Sequence, residues 1–316
     1  MSLTTAAYQV VQRDLTQHFN DRMEAMAQAP FYPQLCTLVD SKSADEKYGW
    51  LGGLPGIREW IGDRQFKQLR AANYTLTNKH WESSLEFEKN DVDDDRMGGF
   101  ASQIQALADE AMFHPDELLF QVIAAGASAA CFDGQYFFDT DHSFGDSGTQ
   151  SNALTYNAAT GTTPTVAEFK AAFHAALKAM LSFKNDQGKF YIRPRIGKLG
   201  SLICAVPLAL REVAVTAFEQ TISVEGSVAT TNVILEKPTV VPIVYMGSEN
   251  GGSDVKWHLY YTGGPVKPFI FQGRKSLQFQ MSGADDSEKK VLRAMTEARY
   301  NIGYGHWATA VQTTFT

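Results

Sequence analysis

Cysteine is scarce in this 316-residue chain, and the three present, Cys36, Cys131 and Cys204, are far apart and match no metal-ligand spacing. A disulfide framework is therefore excluded, and buried, reduced thiols in a reducing compartment are expected. Long hydrophobic runs are missing too: the longest, Leu202 to Leu210, covers nine residues and contains Pro207. A membrane-spanning helix needs roughly 20 such residues, so no bilayer crossing is expected. The start, Met1-Ser2-Leu3-Thr4-Thr5, lacks the basic and apolar regions of a secretory signal, and no export is expected. Positive charge is in deficit, with 28 Lys+Arg against 35 Asp+Glu and a formal charge of −7. That balance argues against a surface built to grip phosphate backbones.

Catalytic and nucleotide-binding signatures are absent as well. There is no GxxxxGK(S/T) cradle, no GxGxxG after a strand, no GxSxG elbow and no HExxH helix. What the chain does have is core-forming capacity: 44% hydrophobic and 12% aromatic residues rule out wholesale disorder. At roughly 150 residues per domain, the length suggests about two domains.

Leu3, Ala7, Val10, Val11, Phe19, Met23 and Met26 recur at roughly helical spacing, predicting an amphipathic helix over Ser2 to Ala27 that Pro30 and Pro33 terminate. Such a helix needs a partner for its apolar stripe. From Gly49 to Leu69 the texture changes to glycines, Pro55 and the large aromatics Trp50 and Trp60, mixed with Arg58, Glu59, Asp63 and Arg64. This reads as a long loop or hairpin laid on another surface, or alternatively tucked onto its own domain. Tyr74 to Glu88 alternates as strands do. Phe100, Ile104, Leu107 and Ala111, then Leu118, Leu119, Val122 and Ile123, predict one long helix with a kink at Pro115, or two in tandem, over Gly98 to Ala125.

Thr165 and Glu168 form a capping box ahead of a helix marked by Val166, Phe169, Phe173, Leu177 and Met180 and ending near Asn185 to Gly188. Leu202 to Val206 reads as a buried strand, with Pro207 opening a helix through Phe218. Val233 to Leu235, Val240 to Tyr245, Val255 to Tyr261, Val266 to Phe271 and Leu277 to Met281 read as further strands, and Thr296 to Gln312 as extended. The class is α+β, without regular βαβ repeats.

Two constellations carry possible chemistry. Asp133, Asp139, Asp141 and His142 gather three carboxylates and an imidazole within ten residues, with Asp93 to Asp95 as further donors. They support a rival reading as a metal-dependent hydrolase or nuclease, although the spacing fits no calcium loop and Asp-Gly and Asp-Thr-Asp are ordinary turn residues. The second is basic: Lys184, Lys189, Arg193, Arg195 and Lys198 around Tyr191, a nucleic-acid contact or, more simply, a solvated face. Trp257-His258 and His306-Trp307 read as packing pairs.

The run from Trp50 to Arg64, WLGGLPGIREWIGDR, followed by Tyr74-Thr75-Leu76-Thr77-Asn78, resembles the major head subunit of Mu-like bacteriophages, the T-type capsid protein. Asp93-Asp94-Asp95, Cys131 to Gln135, Phe138 to His142, Ala298 to Asn301 and Gly303 to Gly305 fit in the same order over essentially the whole chain. The resemblance implies an α+β, HK97-like phage capsid fold. Its parts are an N-terminal arm over 1–48 and an extended loop over 49–80. A peripheral domain covers 81–131 and 262–316, with a spine helix at about 98–125, and an axial domain covers 132–261. It further implies a structural, non-enzymatic subunit without cofactor or bound metal, acting in the virion and assembled in the host cytoplasm. Trp50, Arg58, Glu59, Trp60, Asp63 and Arg64 become intersubunit contact candidates, with arm and loop belonging energetically to neighbours. The implied partners are copies of itself in hexamers and pentamers, a separate scaffolding protein, a portal, possible decoration proteins, and double-stranded DNA held weakly; no membrane is implied.

Overall fold

A computed structural model describes residues 4–49, 74–93, 97–193, 201–219, 222–225, 228–231, 237–283 and 291–316. In chain order these form α1 (Thr5–Met26), α2 (Tyr32–Leu35), β1 (Cys36–Asp40), β2 (Asp45–Lys47), β3 (Thr75–Thr77), β4 (Lys79–Glu88), α3 (Lys89–Asp93) and α4 (Met97–Ala124). There follow β5 (Ala153–Tyr156), α5 (Val166–Ser182), β6 (Leu202–Val206), α6 (Leu208–Glu219), β7 (Ile222–Glu225), β8 (Val228–Thr231) and β9 (Thr239–Pro242). The last strands are β10 (Lys256–Tyr261), β11 (Phe269–Ser282), β12 (Val291–Tyr304) and β13 (Ala310–Phe315).

Thr4 starts α1 by accepting the Ala7 N–H on its side chain, satisfying one of the orphan donors of a first turn. The buried stripe is Tyr8, Val11, Leu15 and Phe19, at steps of three, four and four. Val10, counted in the sequence stripe, is 60% exposed, because one residue from Val11 is about 100° round the helix. The stripe finds a partner within the same chain. With Ile104 and Leu107 of α4, Phe87 of β4 and Leu292 of β12 it makes a second, smaller core. Phe19 stacks on Phe279 at 4.1 Å, and Arg22 grips Asp109 through two hydrogen bonds of 2.6 and 2.8 Å.

The first sheet runs β1-β11-β12-β4, with β1 parallel to β11 and the other pairs antiparallel. Helix α4 lies against β12, and α1 against both α4 and β11. Of the two sequence alternatives the single helix holds: α4 runs through Pro115. Asp116 beside it is buried and accepts the N–H groups of Phe31 and Tyr32 at 2.6–3.0 Å, capping α2 from another element. Burial raises its pKa, and those hydrogen bonds only partly oppose the rise. The two strands expected at Val266 to Phe271 and Leu277 to Met281 are one, β11. Register shifts against β12 between Gly273 and Gln278 absorb the residues that break its alternation.

The second sheet runs β5-β13-β10-β6-β9. All five residues of β6 are buried, as a central strand covered on both faces requires. The capping box forms as read: Thr165 accepts from Glu168 N, and Glu168 accepts from Thr165 N at 2.8 Å. α5 lies on β10 and β13, α6 on β6 and β9. The strand expected over Val240 to Tyr245 stops at Pro242 and passes into a 3-10 turn at Val244–Met246. Val233 to Leu235 lie outside the described residues. Trp257, Trp307, Phe169, Phe173, Phe218, Phe269 and Phe315 belong to one buried core that extends from this sheet to Leu35 and Leu119 beside the first. The segment after Phe269 therefore serves both sheets, with β11 and β12 in one and β13 in the other.

Candidate functional site

The contact candidates Trp50, Arg58, Glu59, Trp60, Asp63 and Arg64 lie outside the described residues; the base of their segment does not. β2 and β3 pair antiparallel from Asp45–Thr77 to Lys47–Thr75, and Tyr48 N donates to Tyr74 O at 2.8 Å. The chain thus leaves and returns at one point. That point is bolted to the first sheet: Tyr48 Oη donates to Gln272 Oε1 at 2.6 Å, Gln272 Nε2 to Leu76 O, and Asn301 Nδ2 to Thr77 O. Tyr74 Oη accepts the Tyr304 N–H at 2.8 Å. A Cβ on Gly303 would lie 2.5 Å from Tyr74 Oη and 3.0 Å from a Leu76 methyl, so a larger residue there would push those side chains aside. Two motif segments far apart in sequence, 74–78 and 300–304, therefore meet at the base of the aromatic segment.

The acidic loop folds differently from the four-ligand cluster expected. Cys131 N donates to Gln135 O across a turn that Gly134 allows with φ of 88°. This places Asp133 inward, its side chain and that of His142 sealed from solvent. His142 Nδ1 lies 2.7 Å from Asp133 Oδ2, and its Nε2 lies 3.2 Å from Asn152 Oδ1. The Cys131 thiol donates to Asp133 Oδ1 at 2.9 Å. The imidazole stacks on Trp307 at 4.1 Å, and Asn152 Nδ2 donates to Phe137 O at 2.8 Å and to Trp307 O at 3.4 Å.

Asp139 is not a member of this group: its carboxylate accepts from Tyr136 N and Thr140 N, capping its own turn. Asp141 points to solvent. Asp94 and Asp95 lie outside the described residues. Cys131, read from sequence only as a buried thiol, takes the vacant place, and its donor atom lies within 4.8 Å of those of Asp133 and His142. No spacing rule reveals Cys131 or Asn152, since their roles depend on which way the loop turns them.

Electrostatics follow from burial. Desolvation works against the Asp133 charge, yet hydrogen bonds from His142, Cys131 and Gln135 N together hold its pKa below the ordinary carboxylate value. Burial, reinforced by Asp133, pushes the Cys131 thiol up. Such a network ties the loop to the core. With Asp133 and His142 sealed, neither side chain has a route to a substrate in this conformation, so the geometry offers the hydrolase reading no working site.

The two Trp/His pairs are packing pairs, as read. Trp257 and Trp307 are buried, His258 stacks on Phe138 at 4.6 Å, and His306 on Tyr191 at 3.9 Å. Lys184, Lys189 and Arg193 are exposed and make no ion pair among the described residues. Arg195 and Lys198 lie outside those residues.

The family model described as Mu-like prophage major head subunit gpT matches residues 8–167 and 244–315. The Mu-like prophage FluMu major head subunit of Haemophilus influenzae is 42% identical over 123 residues, 39% of this chain and 40% of that protein. The major capsid protein of Escherichia phage Mu is 36% identical over 111 residues, 35% of this chain and 36% of that protein. The chain thus spans about two fifths of the length of the curated relatives it matches. Among solved structures, the procapsid of bacteriophage JBD30 is similar with TM-score 0.55 and 25% identity, over 99% of this chain and 76% of that one. The capsid of cyanophage P-SCSP1u is similar with TM-score 0.56 and 11% identity, over 91% and 88%.

Proposed function

Because the chain belongs to the Mu-like prophage major head subunit (gpT) family and has the HK97-like capsid fold, we propose that it is a major capsid protein. In this reading it builds the icosahedral head shell of a Mu-like bacteriophage by association with copies of itself. The observation that carries the reading is the family match on both sides of the chain, joined to a fold shared along 99% of it with a procapsid subunit. The subunit is non-enzymatic; the sealed Asp133–His142 pair favours this.

The first sheet with α4 as its spine corresponds to the peripheral domain, and α1, packed on it, to the arm. The second sheet with α5 and α6 corresponds to the axial domain, and it also takes in β13, from the stretch assigned above to the peripheral domain. The segment from Gly49 reaches over an adjacent subunit, where Trp50, Arg58, Glu59, Trp60, Asp63 and Arg64 make contacts. The firm anchoring of its base supports that role, because a lever transmits force only from a fixed foot. Hexamers and pentamers, a separate scaffolding protein, a portal and decoration proteins complete the assembly in the host cytoplasm. The JBD30 capsid is decorated with minor capsid protein trimers. A charge of −7 suits a wall that encloses double-stranded DNA without adhering to it.

Electron microscopy of the chain co-expressed with its scaffold is expected to show closed shells. Trp60→Ala or Arg64→Glu is expected to abolish shells while circular dichroism stays native. A wild-type chain that remains monomeric under all such conditions, or mutants with full particle yield, would overturn the assignment of shell or loop respectively.

A further inference from the structure

Two faces of this molecule carry apolar side chains beside charges of a single sign, and the two signs are opposite. The first is on α5 and the hairpin that follows it. The core side of α5 is Phe169, Ala172, Phe173, Ala176 and Met180. Leu177 and Leu181, one position on from the last two, lie about 100° round the helix and are only partly buried. They line a groove with Phe190, itself 55% exposed. Beside it Lys178, Lys184, Lys189 and Arg193 are exposed and make no ion pair among the described residues, in a chain of formal charge −7. The hairpin backbone is fixed in advance. Gln150 holds the N–H and C=O of Lys184 at 2.6 and 3.0 Å, Asn185 Oδ1 accepts the N–H groups of Gln187 and Lys189, and Arg193 Nε donates to Phe190 O at 3.3 Å.

The second face is on α4 and the turn after β9. Glu110, Phe113, Glu117 and Phe120 follow at steps of three, four and three, so carboxylates and phenyl rings alternate along one side of the helix. Phe120 stacks on Tyr245 at 5.5 Å, while Phe113 is 45% and Val244 50% exposed. Burial, then Glu117 and Glu110, raise the pKa of Tyr245, so both carboxylates stand near that ring. Neither glutamate makes an ion pair among the described residues. The two faces lie at opposite edges of the second sheet. Lys178 and Ser182 of α5 line one cavity with Leu154 to Tyr156 of the edge strand β5, whereas Val244 and Tyr245 follow directly on β9, the other edge strand.

Apolar side chains clustered in water on a folded chain mark contact surfaces. A nucleic-acid duplex has no side chain to fill a groove of leucine and phenylalanine; a protein face that interleaves apolar groups with acids does, and this chain carries one. We propose that the acidic stripe on α4 of one copy seats in the basic groove on α5 of the next, head to tail. Because the two faces differ, the contact is heterologous: a copy that accepts a neighbour at one edge still offers the other, and the series closes into a ring when the rotation permits. Opposite charge sets the register and disfavours groove on groove or stripe on stripe. This pairing rests on the assembly reading and deepens it by naming the surfaces that meet.

The test reverses charge on full chains co-expressed with the scaffold. Lys184→Glu with Lys189→Glu, or Glu110→Lys with Glu117→Lys, is expected to cut particle yield about tenfold or more while circular dichroism stays native. Both pairs in one chain exchange the signs of the two faces and are expected to restore particles. Purified and mixed, the two single-face variants are expected to sediment faster together than either alone, because each carries the face the other needs. Particles from wild type without rescue in the fourfold variant overturn the pairing and leave the shell reading standing, as does full yield from either single-face variant. A wild type without particles overturns the shell reading; the mixture then decides the pairing, and unchanged sedimentation overturns it. A duplex DNA probe retained by wild type and lost from Lys184→Glu with Lys189→Glu, at unchanged particle yield, assigns the groove to nucleic acid and overturns the pairing as well.

Discussion

His258 is buried against Phe138, with Nε2 3.0 Å from the Gln312 amide nitrogen and Nδ1 3.0 Å from Tyr260 Oη. Desolvation, with Lys256 adding repulsion, lowers its pKa to about 3 from 6.5. Above pH 6.5 the ring is neutral in both the folded and the unfolded chain, and it costs nothing. Below that, the unfolded chain takes up a proton that the fold refuses, so stability falls by about 1.4 kcal/mol per pH unit until the loss levels off near pH 3. Urea midpoints at pH 7 and pH 5 are expected to differ less in His258→Gln than in wild type; equal differences would show that His258 does not set the slope. At this scale the sequence was half legible. Asp133 and His142 stand out as chemistry-bearing residues near one another, and they do pair. Asp139 and Asp141 share that neighbourhood but turn away, because over a few loop residues the backbone torsions decide direction, and composition does not encode them.

Helices were the most legible elements. Their caps and periodicity are local, so Thr165 with Glu168, or the stripe of α4, can be read without knowing what lies opposite. Strands were less so: β11 reads as two segments because Gly273 to Ser276 break its alternation, and only pairing with β12 makes it one. The partner of α1 was not readable, since its apolar face fits a foreign surface as well as the chain's own. Phe19→Ala removes a ring stacked at 4.1 Å on Phe279 from the small core under that helix. A loss of about 3–5 kcal/mol is expected, confined first to this end of the molecule. Hydrogen exchange is expected to accelerate over Thr5 to Met26 while β6 and β10 stay protected. Uniform acceleration would mean that the small core is not a separable unit.

At the scale of the whole molecule, α+β class and a size of about two domains follow from composition and patterning, whereas the exchange of strands between sheets does not. β13 lies between β5 and β10, pairing Gln312 with Ala153 and with His258. A chain stopped before Ala310 leaves β5 without its partner and uncovers Trp257 and Phe169. It is expected to be insoluble or rapidly cut by protease; a soluble, protease-resistant product would contradict this topology.

That strand also sets a clock. β5 leaves the ribosome about half a chain ahead of the strand it pairs with, a wait on the order of 10–30 s at about 5–20 residues per second. Until β13 emerges, no nascent polypeptide has a finished second sheet to offer. A chain released before β13 is expected to lack a finished second sheet and to be cut by proteases faster than one that carries the strand.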